Sequence, residues 1–195
     1  IPPALREFMP ANIVVEVDAT GTISHITDRF ENEHLTLGKK VEKMRRLVLS
    51  YNAIAKRVKK DFTNRNGAVK MAALITAIIM ETGIRPGKAG NGVVKTVDGE
   101  DIAIETFGAI TLGPKHVKFV RDNFVSLEFL GKKGSQNTAE ITDGAIVKVL
   151  QNYVKQALKK GSPYVFVTAK GVPFTYTDLQ RYFREKFVDI APTDF

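Results

Sequence analysis

The chain has 195 residues, 44% of them hydrophobic, enough for one domain with a real core or for one domain and a small lobe. Its 29 Lys and Arg against 21 Asp and Glu give a net charge of +8, which favours a polyanionic partner without implying any sequence specificity. Cysteine is absent, which excludes disulfides and thiolate chemistry. The histidines His25, His34 and His116 are scattered with no carboxylate cluster beside them, so neither a metal site nor a metal cofactor is expected.

Residues 11–17 alternate like a strand, Asp18-Ala19-Thr20-Gly21 reads as a turn, and residues 22–27 read as the returning strand of a hairpin. From about Leu37 to Phe62 the period becomes helical, with Val41, Met44, Leu47, Val48, Tyr51, Ile54 and Val58 on one stripe. The rest of that helix is strongly basic: Lys39, Lys40, Lys43, Arg45, Arg46, Lys56, Arg57, Lys59 and Lys60. Such a run is most often a solvated face, but so one-sided a surplus suits tracking along a DNA backbone. Asn64-Arg65-Asn66-Gly67 breaks it, and a second helix, Ala68 to Glu81, runs to Gly83 as its C-cap.

Residues 87–131 look rich in strands and loops, with apolar runs at 102–106, 117–120 and 124–130. Gly131-Lys132-Lys133-Gly134 signals a tight turn into a strand near 137–141. Asp143 is a good N-cap for a helix to Lys160, with Tyr153 on its apolar stripe. Residues 164–168 form a short apolar run, and Thr175 or Thr177 begins a last helix through Phe187. The expected class is α+β, helix-dominated, with a small sheet.

Four segments carry candidate chemistry. In Glu81-Thr82-Gly83-Ile84-Arg85-Pro86-Gly87 an arginine follows a helix stop, where a planar charged fork is well placed to hold a phosphate; the plainer reading is a cation that complements the helix dipole or pairs with Glu81. Lys132 sits at a hairpin tip, where the plain reading is a solvated turn and the functional one a proton donor to a leaving alkoxide. In the stretch from Thr106 to Val117, read alone as a strand and a turn, Lys115 and His116 are either phosphate contacts or simply exposed. Gly87-Lys88-Ala89-Gly90-Asn91-Gly92 is not a phosphate loop, because a helix rather than a strand precedes it and no Ser or Thr follows the lysine, so ATP use is not expected.

Taken in order, these segments resemble type IB DNA topoisomerases of the bacterial and viral kind, whose core is related to the tyrosine recombinases. Ile1-Pro2-Pro3-Ala4 is similar to the family's entry segment, Asp18–Gly21 with its following strand to the next hairpin, and Phe30 with the stretch Lys40 to Leu47 to the start of its catalytic domain. Thr82 to Gly87 resembles the segment with its first catalytic arginine. Phe107-Gly108 through Thr111-Leu112 to Lys115-His116-Val117 resembles its Gly…Thr-Leu…Lys-His-Val signature, and Phe129-Leu130-Gly131-Lys132 the hairpin with its catalytic lysine. The resemblance implies the remnant of an N-terminal β-rich DNA-binding lobe in residues 1–35 and a catalytic domain in residues 36–195, incomplete at its C-terminus.

It further implies that Arg85 stabilises the scissile phosphate in its transition state and that Lys132 protonates the departing 5′ oxygen. Lys39, Lys43, Arg46, Lys88, Thr111, Lys115, His116 and Lys133 would contact the DNA. Double-stranded DNA is the expected partner, no cofactor is expected, and the expected form is a monomer. In the family a second arginine, a histidine and the nucleophilic tyrosine follow a segment that Ala191-Pro192-Thr193-Asp194-Phe195 resembles. The expectation is therefore a piece of a longer protein, cut at both ends, that binds DNA without cleaving it. Its expected setting is cytoplasm, nucleoid or virus, since neither a signal-peptide pattern nor an apolar run of membrane length is present.

Three alternatives remain. In a recombinase or integrase the arginine usually leads into Gly-Glu or Ser-Glu and a helix, whereas here Pro86-Gly87 opens a glycine-rich insertion. A non-catalytic DNA-binding module would leave Arg85 and Lys132 as relics. A basic protein of membrane surfaces would show Trp and Phe on an interfacial helix face, and this basic helix does not.

Overall fold

The computed structural model describes residues 13–17, 23–90, 92–97 and 100–195; side chains are described for residues 37–90, 92–94 and 101–195. In chain order the elements are β1 (Ile13–Val17), β2 (Ile23–Asp28), α1 (Arg29–Asp61), α2 (Gly67–Thr82), β3 (Gly92–Val97), β4 (Glu100–Glu105), β5 (Val117–Arg121), β6 (Phe124–Leu130), β7 (Gln136–Ile141), α3 (Gly144–Lys159) and α4 (Tyr176–Lys186). This is an α+β chain dominated by helix. By internal contacts it divides into Ile1–Val48 and Leu49–Phe195.

The first unit holds the antiparallel hairpin of β1 and β2, paired from Ile13↔Asp28 to Val17↔Ile23 with an irregularity after Glu16. The turn expected at 18–21 and the entry motif at 1–4 lie outside the described residues. Helix α1 begins at Arg29 and not near Leu37, because the polar stretch after Asp28 carries good helix formers but no apolar stripe that would announce it. The expected stripe is not a core seam: Val41, Met44, Val48 and Tyr51 are exposed, and only Ile54 and Val58 are buried.

The second unit is built around α2. Every residue from Met71 to Ile79 is buried, Thr76 included, so the middle of this helix is covered on all sides, as in a central helix. Asn66 caps its start, its side-chain oxygen accepting from Ala68 N and Val69 N; Gly83 ends it at φ 67°, where a Cβ would be strained. Around α2 pack α3, α4, β7 and the short 3₁₀ turn Ala109–Thr111. β5, β6 and β7 form a three-stranded antiparallel sheet in that order, and β3 and β4 pair as a separate hairpin from Gly92↔Glu105 to Val97↔Glu100.

Helix α3 starts behind Asp143, whose carboxylate accepts from Ala145 N and Ile146 N. Helix α4 starts behind Thr175, whose hydroxyl accepts from Asp178 N while the Asp178 carboxylate accepts from Thr175 N. Residues 164–168 form no full strand. Val165, Phe166 and Val167 are buried, but only Val167 makes a bridge, with Pro173.

Candidate functional site

Arg85 lies two residues past the helix stop and is exposed. Ile84 and Pro86 on either side are buried, so the backbone is held while the guanidinium faces outward. Glu81 does not pair with it: the Glu81 carboxylate accepts from Thr142 N at 2.6 Å, Thr142 Oγ1 at 3.2 Å and Asp143 N at 3.1 Å. That carboxylate stands at the start of α3 and adds a negative charge where the helix exposes unbonded N–H groups. Among the described residues no group is bonded to the Arg85 side chain.

The arginine segment is clasped to residues 107–111. Ala109 N donates to the Arg85 carbonyl at 2.8 Å and Ile110 N to the Pro86 carbonyl at 2.8 Å. The approach is so close that only glycine fits on both sides. A Cβ on Gly108 would stand 2.6 Å from the Arg85 carbonyl oxygen and 2.7 Å from Gly87 Cα, and one on Gly87 would stand 2.8 Å from Gly108 Cα. Two residues before Ala109, Phe107 N donates to the Leu130 carbonyl at 2.7 Å, at the end of β6. One strip of backbone, 107–109, thus joins the arginine segment on one side to the lysine hairpin on the other.

The lysine hairpin turns through Lys132–Gly134. Gly131 N donates to the Ser135 carbonyl at 2.7 Å and closes the loop, and the Ser135 hydroxyl donates to the Lys132 carbonyl at 3.0 Å. Lys133 sits at φ 63°, the left-handed region that a non-glycine residue seldom adopts. Lys132 and Lys133 are exposed, and β3 packs against their turn.

The stretch expected as strand and turn between 106 and 117 is instead two 3₁₀ turns, Ala109–Thr111 and Pro114–His116, with strand only from Val117. Glycines 108 and 113 precede the turns, and Gly113 N is bonded to the His116 ring, so no ladder forms here. Thr111 is buried, its hydroxyl accepting from Gly108 N at 2.9 Å. His116 is buried as well; its Nδ1 accepts from Gly113 N at 2.9 Å, and its ring meets the Phe107 ring edge-on at 4.3 Å between centroids. Burial first, then the neighbouring Lys115, hold the His116 pKa below its ordinary value, with Glu105 acting against them. Lys115 is exposed, its ammonium 5.7 Å from the Phe107 ring centroid.

Around this clasp stand Arg85, Lys115, Lys132 and Lys133 as exposed cations, and Lys88, also exposed, follows Gly87. Thr111 and His116 are engaged within the fold. Lys39, Lys43 and Arg46 are exposed on α1 in the first unit, where Arg46 pairs with Glu42 at 3.1 Å.

Three of the five tyrosines have other occupations. Tyr182 is buried and donates to Asp61 at 3.0 Å, and Tyr164 donates to Glu105 at 3.4 Å. Tyr153 is half-buried against Phe166, Tyr176 is half-buried, and Tyr51, expected in the core, is exposed. Burial raises the pKa of Tyr182, Tyr153 and Tyr164, and Asp61 and Glu105 add to it at Tyr182 and Tyr164. Sequence reasoning missed the Glu81 anchor and the glycine clasp. The spaced pair Gly87 and Gly108, flanking a hairpin, was the available sign of the latter.

Comparison with known proteins gives three findings. The family model described as eukaryotic DNA topoisomerase I, catalytic core, matches residues 36–195. No curated protein matches the sequence. Among solved structures, the XerH site-specific recombinase bound to difH substrate in a pre-cleavage complex aligns with a TM-score of 0.44 at 14% identity, and its post-cleavage complex with palindromic difH substrate with 0.43 at 15%. Each alignment covers 74% of this chain and 35% of the recombinase chain, so this chain spans about a third of those proteins.

Proposed function

This chain belongs to the DNA topoisomerase I catalytic-core family, and from that membership we propose that it is part of a type IB DNA topoisomerase, a protein that cuts one strand through a 3′-phosphotyrosyl link, lets it rotate and reseals it without ATP. The observation that carries the reading is the backbone strip 107–109, hydrogen-bonded to the Arg85 carbonyl and to the Leu130 carbonyl, so that an unpartnered arginine and the lysine turn share one support. In this reading the Arg85 fork holds the non-bridging oxygens of the scissile phosphate and meets the charge that develops on them. Lys132 protonates the leaving 5′ oxygen. Lys88, Lys115 and Lys133 contact the backbone around the site, and Lys39, Lys43 and Arg46 of α1 contact DNA from the first unit. Thr111 and His116 serve through the loop they brace.

We also propose that these 195 residues bind duplex DNA and do not cleave it. Tyr182 and Tyr164 are bonded to carboxylates, and burial makes Tyr153 harder to ionise; these are poor nucleophiles. The test pairs two assays on the chain: retention of duplex DNA against salt, and covalent trapping on a suicide DNA substrate. Binding without an adduct is expected, and an adduct overturns the second proposal. In a longer form containing a nucleophile, Arg85→Ala and Lys132→Ala should slow cleavage by about 10²–10⁴-fold with little loss of binding. If both weaken only affinity, the catalytic reading fails. If relaxation of a plasmid demands two specific sites, the topoisomerase reading gives way to a recombinase.

A further inference from the structure

His116 takes no direct part in the proposed chemistry but is bonded within the loop beside it. We propose that His116 is a positioning residue, whose neutral ring locks the 107–113 loop and so holds the Lys132 hairpin in register with the Arg85 segment. The inference rests on the proposed function for its purpose but not for its geometry.

His116 and Gly113 exchange two bonds: His116 N donates to the Gly113 carbonyl at 2.9 Å, and Gly113 N donates to His116 Nδ1 at 2.9 Å. The second bond needs an unprotonated Nδ1, hence the neutral ring with its proton on Nε2. The ring then lies edge-on against Phe107 at 4.3 Å and tilted toward Phe129 at 6.3 Å. Phe107 N is the donor to the Leu130 carbonyl, and Phe129 is the residue before Leu130. The imidazole therefore meets Phe107, the donor of this backbone bond between loop and hairpin, and Phe129, the neighbour of its acceptor. The Pro114–His116 turn packs on α3 and β6, so the ring has a firm base.

The charged groups acting on the ring are Lys115, which opposes a second positive charge, and Glu105, which favours it. Burial opposes it more than either. A protonated ring cannot accept from Gly113, and the lock opens in mild acid.

The test is residue-resolved amide hydrogen exchange on the full chain, at pH values on both sides of the ordinary histidine range, about 6.5. His116→Asn keeps an acceptor near Nδ1; His116→Phe keeps the ring packing and loses the acceptor. In His116→Phe the Gly113 and Phe107 amides should exchange about fivefold to tenfold faster than in the parent, the loss of roughly one hydrogen bond. His116→Asn should restore most of that protection and remove its fall in acid. If His116→Phe does not fold, His116→Asn and the parent still decide the matter by their pH profiles.

Equal protection of Phe107 in parent and His116→Phe overturns the proposal. So does a pH profile shared by the parent and His116→Asn. Loss of DNA affinity in both variants with unchanged exchange would instead make His116 a direct DNA contact. Exchange is read without DNA, so a failure of the DNA reading does not disturb this result.

Discussion

Asp61 shows how one buried charge is made tolerable. It is 2% exposed at the end of α1, and its carboxylate accepts from Arg57 Nε at 2.9 Å, Tyr182 Oη at 3.0 Å and Asn64 Nδ2 at 3.4 Å. Burial pushes its pKa up, but the hydrogen bonds from Arg57 and Tyr182 outweigh that and leave it below the ordinary carboxylate range. A depressed carboxylate adds stability above its unfolded value, about 3.9, and that stability drains as pH falls through the folded value. Asp61→Asn should therefore flatten part of the acid limb of a urea-stability profile below about pH 4. Tyr182→Phe keeps the stack with Phe183 and Phe187 but removes a bond to a charged acceptor, so a loss of about 1.5–3 kcal/mol is expected from denaturant titration. At the site itself, Gly108→Ala cannot be absorbed by a rotamer change, because the new carbon meets backbone. It should push the Arg85 segment away and slow cleavage in a longer form containing a nucleophile, while leaving the β5–β7 sheet intact, which amide chemical shifts would resolve.

At the scale of elements, α2 holds the second unit together and Glu81 fastens its far end. Leu74 is fully buried, and Leu74→Ala should cost about 2.7–5 kcal/mol in a denaturant titration, depending on how far the cavity collapses. Glu81→Gln keeps the shape but weakens three bonds to Thr142 and Asp143, so exchange at those two amides should rise severalfold while the centre of α2 stays protected. Helix ends marked by Gly83 and Asp143 were legible in the sequence; Asn66, read only as part of a break, and Thr175, left open against Thr177, prove to be N-caps. The first turns of α1 were not legible, since no apolar period marks them. Nor were the two 3₁₀ turns of 109–116, because what holds them is a bond to Arg85 and Pro86 more than twenty residues away and a histidine side chain, neither of which leaves a local period. The candidate site was legible as an arginine behind a helix stop and a lysine in a tight turn. Their common support was not, because it rests on main-chain atoms.

Over the whole chain, the surplus of +8 makes any duplex binding steeply salt-dependent. If Lys88 and Lys115 each neutralise a phosphate, replacing either by Ala should reduce the slope of log K against log salt by about 1, whichever sequence is bound. Among the described residues no helix is long and apolar enough to cross a membrane. Because Gly87 and Gly108 touch, the backbone that departs at one returns at the other, with β3 packed on the Lys132 turn and Glu105 accepting from Tyr164. Ends that meet make a natural port for grafting: the tip between β3 and β4 can be lengthened or exchanged at a closure cost that grows only as the logarithm of its length. A change in the reach of that hairpin should thus leave the arginine behind it at the same address.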